Sequence, residues 1–356
     1  MATQTNEYRT KAYGATAPDS GVGPMQITRR GLRHDDVLIE ISHCGICHSD
    51  LHSARNDWGF TTYPIVPGHE IVGTVSAVGD SVTRHKIGDR VAIGCMADSC
   101  LECAHCEADL EQYCLEGNTG TYNGKDRRDG SLTFGGYSTR IVAREEFVLK
   151  VPDGMPMAEA APLLCAGITT YSPLRTWKVG PGSKVAVAGL GGLGHMGVKL
   201  AAAMGAEVTV LSRSESKRGD AEKLGAHAFL NTSDKAAMKA KRGYFDMVLN
   251  TIPVRHDVVP YLHLLRIDGV QVLVGLIGPM PEIHTGVLLG RKILTGSGIG
   301  GLAETQEMLD FCAANNILPE IETIAMQDVE NAYARMEASD IKYRFVIDME
   351  SLRAAP

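Results

Sequence analysis

The sequence lacks the features that would point to a membrane, to nucleic acid or to secretion. Its longest apolar runs, such as Val185-Ala-Val-Ala-Gly-Leu190, are far shorter than the roughly 20 residues that span a bilayer. The 35 basic residues are outnumbered by 42 acidic ones, so no excess of positive charge is available to bind a phosphate backbone. Residues 1–20 contain neither an apolar segment nor an Arg-rich amphipathic face. We therefore expect a cytoplasmic protein that binds neither membrane nor nucleic acid.

Tryptophan is scarce, with two residues, whereas cysteine is not, with nine residues in a chain of 356. An odd number of cysteines spread over a long chain does not suit the disulfide framework of a small secreted domain. In a reducing compartment thiols stay reduced, and clusters of them then favour metal sites over disulfides. The length also exceeds what one hydrophobic core usually supports, so we expect two domains.

The pattern of apolar residues divides the chain. Residues 25–150 contain short alternating or β-branched segments between glycine, proline and aspartate, such as Asp36–Ser42, which indicates a β-rich half. After Pro156 the pattern changes to apolar strands followed by alanine-rich helices, as in Lys184–Ala188 and Gly192–Met204. This alternation predicts βαβ units on a parallel sheet, and thus an α/β fold.

Beyond Gly300 the pattern changes again. It predicts helices over Glu304–Asn315 and Val329–Met336 and a final strand over Tyr343–Asp348. There is no internal repeat. The one conspicuous charge run, Asp126-Arg-Arg-Asp129, lies between glycines, which is typical of a solvated turn.

Four cysteines lie within fifteen positions of one another, namely Cys100, Cys103, Cys106 and Cys114. Four thiolates at this spacing can close a tetrahedral site about 2.3 Å from a zinc ion, the usual arrangement of structural zinc. Spacing alone leaves iron open, although one short lobe has little room for an inorganic cluster. The interleaved His105 is superfluous to a complete set of four thiolates.

A second group of metal-binding residue types is dispersed along the chain. It comprises the segment Cys44-Gly-Ile-Cys47-His48-Ser49-Asp50-Leu51-His52, then His69 and Glu70, and, far downstream, Cys165. Singly, such residues are more often packed in a core, and a CxxC can be a redox pair or half of a structural zinc site. Together they offer sulfur, imidazole and carboxylate from separate loops, which suits a catalytic zinc with one position left for water or substrate.

A glycine-rich segment between a strand and a helix favours a dinucleotide site. Strand Lys184–Ala188 runs directly into Gly189-Leu-Gly-Gly-Leu-Gly194, and a helix follows. Glycines there permit a tight turn and close approach of a pyrophosphate, which the helix N-terminus attracts. The residues expected at the cofactor are Gly189, Gly191, Gly192, Leu193 and Gly194.

The end of the next strand predicts which dinucleotide binds. An NAD site usually has Asp or Glu there, about twenty residues on, to accept from the ribose 2′-OH. Here the strand is followed by hydroxyls and cations that suit a 2′-phosphate, namely Ser212, Arg213, Ser214 and Lys217. The nearest carboxylate, Glu215, falls after the strand, in the following helical turn. The sequence thus favours NADP(H), with solvated helix-start cations as the alternative.

These motifs resemble, in order and over nearly the whole chain, the zinc-dependent medium-chain alcohol dehydrogenases, in particular the NADP-dependent cinnamyl alcohol dehydrogenase branch. The segments that carry the resemblance are Cys44–Asp50, Pro67–Glu70, the Cys100–Cys114 lobe, Ala161–Tyr171, Gly189–Gly197 and Lys342–Asp348. The resemblance implies a β-rich GroES-like catalytic domain, residues 1–157 and 298–356. It also implies a Rossmann domain with a doubly wound parallel sheet, residues 158–297, two zinc ions per subunit, and a homodimer.

The resemblance assigns ligands to the second metal site. Cys47, His69 and Cys165 would bind the catalytic zinc, and Glu70 would coordinate when the water or substrate position changes. Cys44 would then not be a ligand, although it completes the CxxC. The first group of four cysteines would bind structural zinc.

The resemblance also implies a route for the proton. Asp50 would hold the His69 imidazole in orientation, as carboxylates commonly do for metal-bound histidines. Ser49 would take the proton from the bound substrate oxygen and pass it through the cofactor ribose to His52, which exchanges with water.

Further cofactor contacts follow from the same resemblance. Thr169 would lie beside the nicotinamide, and Ser297, Gly298 and Ile299 would lie along its other face. We also expect Arg344, in the matching C-terminal segment, to bind the cofactor.

The implied reaction is hydride transfer between NADP(H) and primary alcohols or aldehydes of aromatic, cinnamyl-type and aliphatic kinds. Aldehyde reduction is the expected direction because the cellular NADPH pool is kept reduced. Trp58 and Cys95 are candidates to line the substrate pocket, with a core or lid role equally open. Gly120 and Gly298 stand where larger rings are common in the family, which predicts a roomier pocket. The alternatives are a zinc-independent quinone or enone reductase and a non-catalytic redox sensor.

Overall fold

A computed structural model describes residues 7–355 and divides the chain into two compact units. The first unit comprises the residues up to Cys165 together with those from Gly301 onward, and the second comprises Ala166–Gly300. The predicted junctions, after residues 157 and 297, lie a few residues earlier in the chain. Among the described residues, no helix combines the length and the apolarity needed to cross a bilayer.

The first unit is built mainly of short strands, numbered here in chain order. They are β1 (Tyr8–Gly14), β2 (Gly23–Arg29), β3 (Asp36–Ile46), β4 (Ile71–Val78), β5 (Arg90–Ile93), β6 (Met96–Asp98), β7 (Thr119–Gly120), β8 (Arg140–Arg144), β9 (Leu149–Lys150), β16 (Ile321–Ala325) and β17 (Arg344–Asp348). Its α-helices are α1 (His48–Ala54), α2 (Ala104–Glu107), α3 (Met157–Pro162), α9 (Leu302–Ala314), α10 (Val329–Glu337) and α11 (Glu350–Arg353).

A seven-stranded sheet forms the framework of this unit, in the order β16-β17-β3-β4-β5-β9, with β8 also paired to β3. Most of its pairs are antiparallel. The central strand β3 places Val37, Ile39 and Ile41 in the core, where they are almost fully buried. Strand β17 pairs with β3, with Phe345 opposite Ile46. The C-terminal segment therefore completes the sheet that the N-terminal segment begins.

The second unit alternates strands and helices. Its strands are β10 (Lys184–Ala188), β11 (Glu207–Ser212), β12 (Ala228–Asn231), β13 (Phe245–Asn250), β14 (Leu265–Leu273) and β15 (Ile293–Gly296). Its α-helices are α4 (Ile168–Thr176), α5 (Gly192–Ala203), α6 (Arg218–Lys223), α7 (Lys235–Ala240) and α8 (Val259–Leu262).

All six strands of this unit are parallel, in the order β12-β11-β10-β13-β14-β15. The order reverses between β10 and β13, and ligands of such sheets bind at the carboxyl ends of the strands beside this switch point. Residues Val185–Ala188 of β10 are fully buried, as expected of a strand covered on both faces. The predicted α/β fold with a doubly wound sheet and a second, β-rich part is confirmed.

The charge run at Asp126–Asp129 forms the predicted solvated turn, in which Arg127, Arg128 and Asp129 are exposed, but its charges are also paired. Arg128 donates to the Asp35 carboxylate at 2.7 Å, and Arg33 donates to Asp126 at 2.8 Å. Asp35 is largely buried, with its side chain 13% exposed. The run therefore fastens its loop to the start of β3, through partners about ninety residues away that local sequence does not reveal.

Candidate metal and dinucleotide sites

Cys47 is held at the N-terminus of helix α1. It occupies the N-cap position, and the Asp50 side chain accepts from the Cys47 backbone amide at 2.8 Å. This contact satisfies one of the amides left without an intrahelical partner at a helix start. The short motif from Cys47 to Asp50 therefore fixes the thiol and the carboxylate together.

Cys165 reaches the same place by an irregular turn of helix. Helices α3 and α4 are joined by a π-helical turn, Leu163–Gly167, which directly follows Pro162. Proline removes a helical hydrogen bond, and single π turns recur at functional sites because they redirect one side chain. Here the turn carries Cys165, whose Sγ lies 3.8 Å from that of Cys47.

The structure brings together the four residues predicted at the second metal site. One donor atom each of Cys47, His69, Glu70 and Cys165 lies within 4.8 Å of the others, and all four residues are buried. Two thiolates bound tetrahedrally at about 2.3 Å from zinc would be separated by about 3.8 Å. The observed Sγ–Sγ distance of 3.8 Å therefore fits that ion. Hydrogen bonding with Cys165 also lowers the pKa of Cys47, which favours the thiolate form that metals bind.

Asp50 orients the imidazole of this group. Its carboxylate accepts from the backbone amide of Gly68 at 2.9 Å and from His69 Nδ1 at 3.1 Å. With Nδ1 donating, the Nε2 of His69 is free to bind a cation. The hydroxyl of Tyr137 lies 3.5 Å from the same carboxylate, and that of Tyr333 lies 3.4 Å from Tyr137.

Glu70 is an unusual member of the group because it is fully buried and already paired. It forms an ion pair with Arg344, while its second oxygen, Oε2, has no hydrogen-bond partner among the described residues. Burial raises the pKa of Glu70 to about 7, against the lowering influence of Arg344. An unsatisfied buried oxygen is costly, and binding a cation would satisfy it. Arg344 is occupied by this pair, so its contact with the cofactor stays a prediction.

The predicted proton route begins beside the thiols. The Oγ of Ser49 lies 3.7 Å from Cys47 Sγ. On the same helix, His52 Nδ1 lies 2.7 Å from the carboxylate of Asp57, and its side chain is 37% exposed. The ring of Trp58 lies 5.5 Å from that of His52. Asp57 was not predicted, because no motif marks a carboxylate in the loop after a helix.

The two predicted pocket residues differ in position. Cys95 lies beside the metal group, since its Sγ is 3.7 Å from the carbonyl of Leu164 and hydrogen bonding with Cys165 lowers its pKa. Trp58 instead belongs to the His52 end of α1. A residue missed by the sequence, Tyr122, packs its ring 5.7 Å from that of His69.

The first cysteine group forms a compact lobe, defined here as residues 100–114. The four thiols lie within 4.8 Å of one another, with Sγ–Sγ distances of 3.8, 3.6 and 3.4 Å between Cys100 and Cys106, Cys103 and Cys106, and Cys114 and Cys100. These spacings also fit a tetrahedral zinc. Backbone amides, that of Leu115 foremost, lower the pKa of Cys103 to about 6. His105 is outside the group.

The glycine segment has the conformation that a dinucleotide needs. Gly189 has a φ of +92°, which favours glycine. A Cβ on Gly194 would lie 2.2 Å from the carbonyl oxygen of Gly189, so the turn and the helix can approach only without a side chain there. Gly191 is the N-cap of α5, which starts at Gly192. Leu193 lies in the first turn of that helix.

The cation and hydroxyl cluster follows β11 as predicted. Lys217 Nζ donates to the carbonyl of Leu190, in the glycine turn, at 2.9 Å. Ser212 is half-buried, while Arg213 and Ser214 are exposed. The nearby Glu215 carboxylate accepts from Arg218 at 2.5 Å and from Asn231 at 3.4 Å. Its charge is therefore partly neutralised at this end of the sheet.

The other residues predicted to contact the cofactor are the Ser297–Ile299 segment and Thr169. Ser297 follows β15 and donates its amide to the carbonyl of Leu273 at 3.1 Å. Across the sheet, one row is formed by Ala188, Asn250, Leu273 and Gly296. Because Gly189 follows Ala188 and Ser297 follows Gly296, the glycine turn and Ser297 lie at the same edge of the sheet. Gly298 and Ile299 continue from it. Thr169 is buried in α4, four residues after Cys165.

Comparisons with known proteins agree with this geometry. Residues 33–153 match the alcohol dehydrogenase GroES-like domain, and residues 192–314 match the zinc-binding dehydrogenases. An NADP-dependent alcohol dehydrogenase C of Mycolicibacterium smegmatis is 54% identical over 96% of this chain and 99% of its own. A cinnamyl alcohol dehydrogenase structure from Sorghum bicolor matches with a TM-score of 0.93 and 41% identity, covering 98% and 99% of the two chains. The CAD structure from Helicobacter pylori, complexed with NADP(H), has a TM-score of 0.91 and 42% identity, covering 97% and 99%.

Proposed function

The chain belongs to the zinc-binding dehydrogenases that carry an alcohol dehydrogenase GroES-like domain, and we propose that it is an NADP(H)-dependent alcohol dehydrogenase acting mainly as an aldehyde reductase. The observation that carries the proposal is the buried group of Cys47, His69, Glu70 and Cys165. The enone reductase and sensor alternatives do not need such a group. The relatives named above support the reaction class.

The metal-binding residues divide into two sites. Cys47, His69 and Cys165 would hold a catalytic zinc ion, and Glu70, whose donor atom lies within 4.8 Å of theirs, would be a further ligand. A zinc ion bound there supplies Lewis acidity at the substrate oxygen. The four thiolates of the lobe would hold a structural zinc.

Ser49 and His52 are the side chains proposed to transfer the proton. Ser49, beside Cys47, accepts the proton that an alcohol loses or donates the one that an aldehyde gains. His52, whose side chain is partly exposed, would exchange that proton with water. The Asp57 carboxylate, 2.7 Å from His52 Nδ1, fixes the orientation of that ring.

The dinucleotide is held at the carboxyl edge of the parallel sheet. The Gly189–Gly194 turn and the N-terminus of α5 receive the pyrophosphate. The 2′-phosphate is held by Ser212, Arg213, Ser214 and Lys217. Thr169 and the Ser297–Ile299 segment flank the nicotinamide, which supplies or accepts the hydride. The absence of an acidic residue at the end of β11 supports NADP(H) over NAD(H).

The expected substrates are primary aromatic, cinnamyl-type and aliphatic aldehydes and the matching alcohols. Steady-state kinetics with NADPH and NADH over benzaldehyde, cinnamaldehyde and a series of alkanals tests the proposal. We expect higher kcat/KM with NADPH, and higher kcat/KM for the aldehydes than for their alcohols at neutral pH. Cinnamaldehyde should give cinnamyl alcohol. Reduction of its C=C bond instead would favour an enone reductase, and no NADPH oxidation with any aldehyde would favour a sensor.

A homodimer through the second unit is part of the proposal. Strand β15 is at the edge of the six-stranded sheet, and Ile293, Leu288 and Leu289 near it are exposed, Leu289 by 83%. Exposed edge strands with apolar neighbours favour pairing with another chain. Sedimentation velocity should give twice the monomer mass, and Ile293→Lys should shift the protein towards monomer.

A further inference from the structure

The carboxylate of Glu111 caps a helix that lies far from it in the sequence. Helix α9 begins at Leu302, and its N-cap residue, Gly301, has no side chain with which to satisfy the first amides. Oε2 of Glu111 accepts from the Leu302 amide at 3.0 Å. Glu111 is 5% exposed. A buried carboxylate at this point binds a free N–H and the positive end of the helix dipole.

Gly301 permits this close approach. A Cβ at that position would lie 1.9 Å from the carbonyl oxygen of Asp109 and 2.8 Å from the Glu111 carboxylate. The contact with Asp109 is possible only because residue 301 has no side chain. The Asp109 carbonyl oxygen is part of the backbone and cannot move away as a flexible side chain can. The lobe and the start of α9 are therefore in direct backbone contact, and Glu111 adds a charge-assisted hydrogen bond to it.

Glu111 is itself positioned by the thiol lobe. It lies between two of the four clustered cysteines, Cys106 and Cys114. The Asp109 amide donates to the Cys106 carbonyl at 3.1 Å, and the Cys114 amide donates to the Glu111 carbonyl at 3.0 Å. Any cation that holds the four sulfurs therefore also holds the short helical turn Glu111–Tyr113.

Helix α9 follows closely after the Ser297–Ile299 segment, which is proposed to flank the nicotinamide. Only Gly300 and Gly301 separate Ile299 from the first residue of α9. A connection this short spans at most about 11 Å, so the point at which α9 begins limits where the end of the Ser297–Ile299 segment can lie. The residue that fixes that helix start also limits the conformations open to the segment.

We propose that Glu111 is a positioning residue, through which the thiol lobe holds the start of α9 and thereby the Ser297–Ile299 segment in the conformation that binds the nicotinamide. The inference rests on the proposed function for that segment. Through Glu111 the lobe affects the affinity for the dinucleotide, although it supplies no group that contacts the cofactor. Glu111 acts by binding the Leu302 amide and contributes no step to the chemistry.

The test is the dissociation constant of NADPH, measured by its fluorescence in titrations of the zinc-loaded protein without substrate. Glu111→Ala should raise it about three- to tenfold, in line with the usual cost of losing a helix cap. Glu111→Gln keeps an acceptor oxygen and should restore most of the affinity. The kcat at saturating NADPH should change less than twofold, since hydride transfer is not touched. Glu107→Ala, exposed on the same lobe, is the matched control and should bind as the wild type does.

A second variant removes the donor instead of the acceptor. Leu302→Pro deletes the amide that Glu111 binds, at a first helical position that proline favours. The backbone of Gly301, with φ −71° and ψ 172°, is one that tolerates a following proline. Leu302→Pro should raise the dissociation constant as Glu111→Ala does, whereas Leu302→Ala should not. These variants keep the test decisive if Glu111→Ala fails to fold.

Two results would contradict different parts of the argument. Wild-type protein that does not bind NADPH would overturn the proposed cofactor itself. Wild-type binding together with unchanged dissociation constants in Glu111→Ala and Leu302→Pro, both retaining two zinc ions per chain, would overturn the positioning role alone. Zinc content measured on each variant separates loss of the cap from loss of the metal.

Discussion

His69 Nδ1 and the carboxylate of Asp50 lie 3.1 Å apart in a position where neither side chain is more than 6% exposed. The same carboxylate accepts the amides of Cys47 and Gly68. Asp50 therefore defines the tautomer of one candidate ligand and the backbone position of another. We expect its charge to matter more for metal binding than for the stability of helix α1.

Replacing Asp50 by asparagine should lower the affinity of the buried site for zinc by about 10- to 100-fold. The amide group cannot accept on both sides as the carboxylate does, so at least one of its present donors loses a partner. Competition with a fluorescent zinc chelator measures the effect. Asp57→Asn, whose side chain is 45% exposed and bonds only His52 among the described residues, is the control. Equal zinc affinity in the two variants would contradict the role of Asp50.

The hydroxyl of Ser49 should be needed for turnover but not for binding. Ser49→Ala should lower kcat for benzaldehyde reduction by about 10²- to 10⁴-fold, the usual range for loss of a general acid or base. Zinc content and the dissociation constant of NADPH should stay near their wild-type values. Ser49→Thr keeps a hydroxyl and should retain most of the activity. If Ser49→Ala turns over as fast as Ser49→Thr, the proton takes another route.

Much of the fold follows from local pattern. Strand β10 was predicted at its observed bounds because buried parallel strands form continuous apolar runs between clear breaks. Strand β17 is different. Its residues predict a strand, but its partner β3 lies some three hundred positions earlier, and the family resemblance implied only that both segments belong to one domain.

In the candidate sites too, local sequence predicts some residues, whereas others depend on partners that are distant in the chain. The four thiols of the lobe are close in sequence, and their spacing alone predicts a metal site. The contacts of Glu111, Asp57 and Tyr122 could not be predicted, since no residue near them marks their partners. Arg128 is a further example: its charge run correctly predicts an exposed turn, but nothing near it in the sequence identifies Asp35 as its partner.

Cofactor choice should respond to a single carboxylate at the end of β11. Ser212→Asp introduces a charge that repels a 2′-phosphate and can accept from a ribose 2′-OH. We expect the ratio of kcat/KM for NADPH to that for NADH to fall about 10- to 100-fold, equivalent to about 1.4 to 2.7 kcal/mol. Ser216→Asp, an exposed position in the following turn, is the control. A similar fall in both variants would indicate a general electrostatic effect without a specific phosphate contact.

The pair of Asp35 and Arg128 should make stability depend on pH. Arg128 holds the pKa of Asp35 well below its usual range by hydrogen bonding. A carboxylate with a depressed pKa stabilises the fold above its unfolded value, near 4, and loses that contribution as the pH falls towards its folded value. Asp35→Asn should therefore lower the free energy of unfolding by about 1–2 kcal/mol at pH 7, a range that allows for solvent screening at the partly exposed Arg128.

Urea unfolding of the wild type and Asp35→Asn at pH 7, 5 and 3.5 measures this dependence. The difference between them should persist at pH 5 and shrink at pH 3.5, because the unfolded wild-type chain then binds a proton that the folded chain resists. Metal loss at low pH affects both proteins and cancels in the comparison. Asp80→Asn, at an exposed position, should stay within about 0.5 kcal/mol of the wild type throughout. A difference that stays constant down to pH 3.5 would mean that Asp35 contributes by packing and neutral hydrogen bonds rather than by its charge.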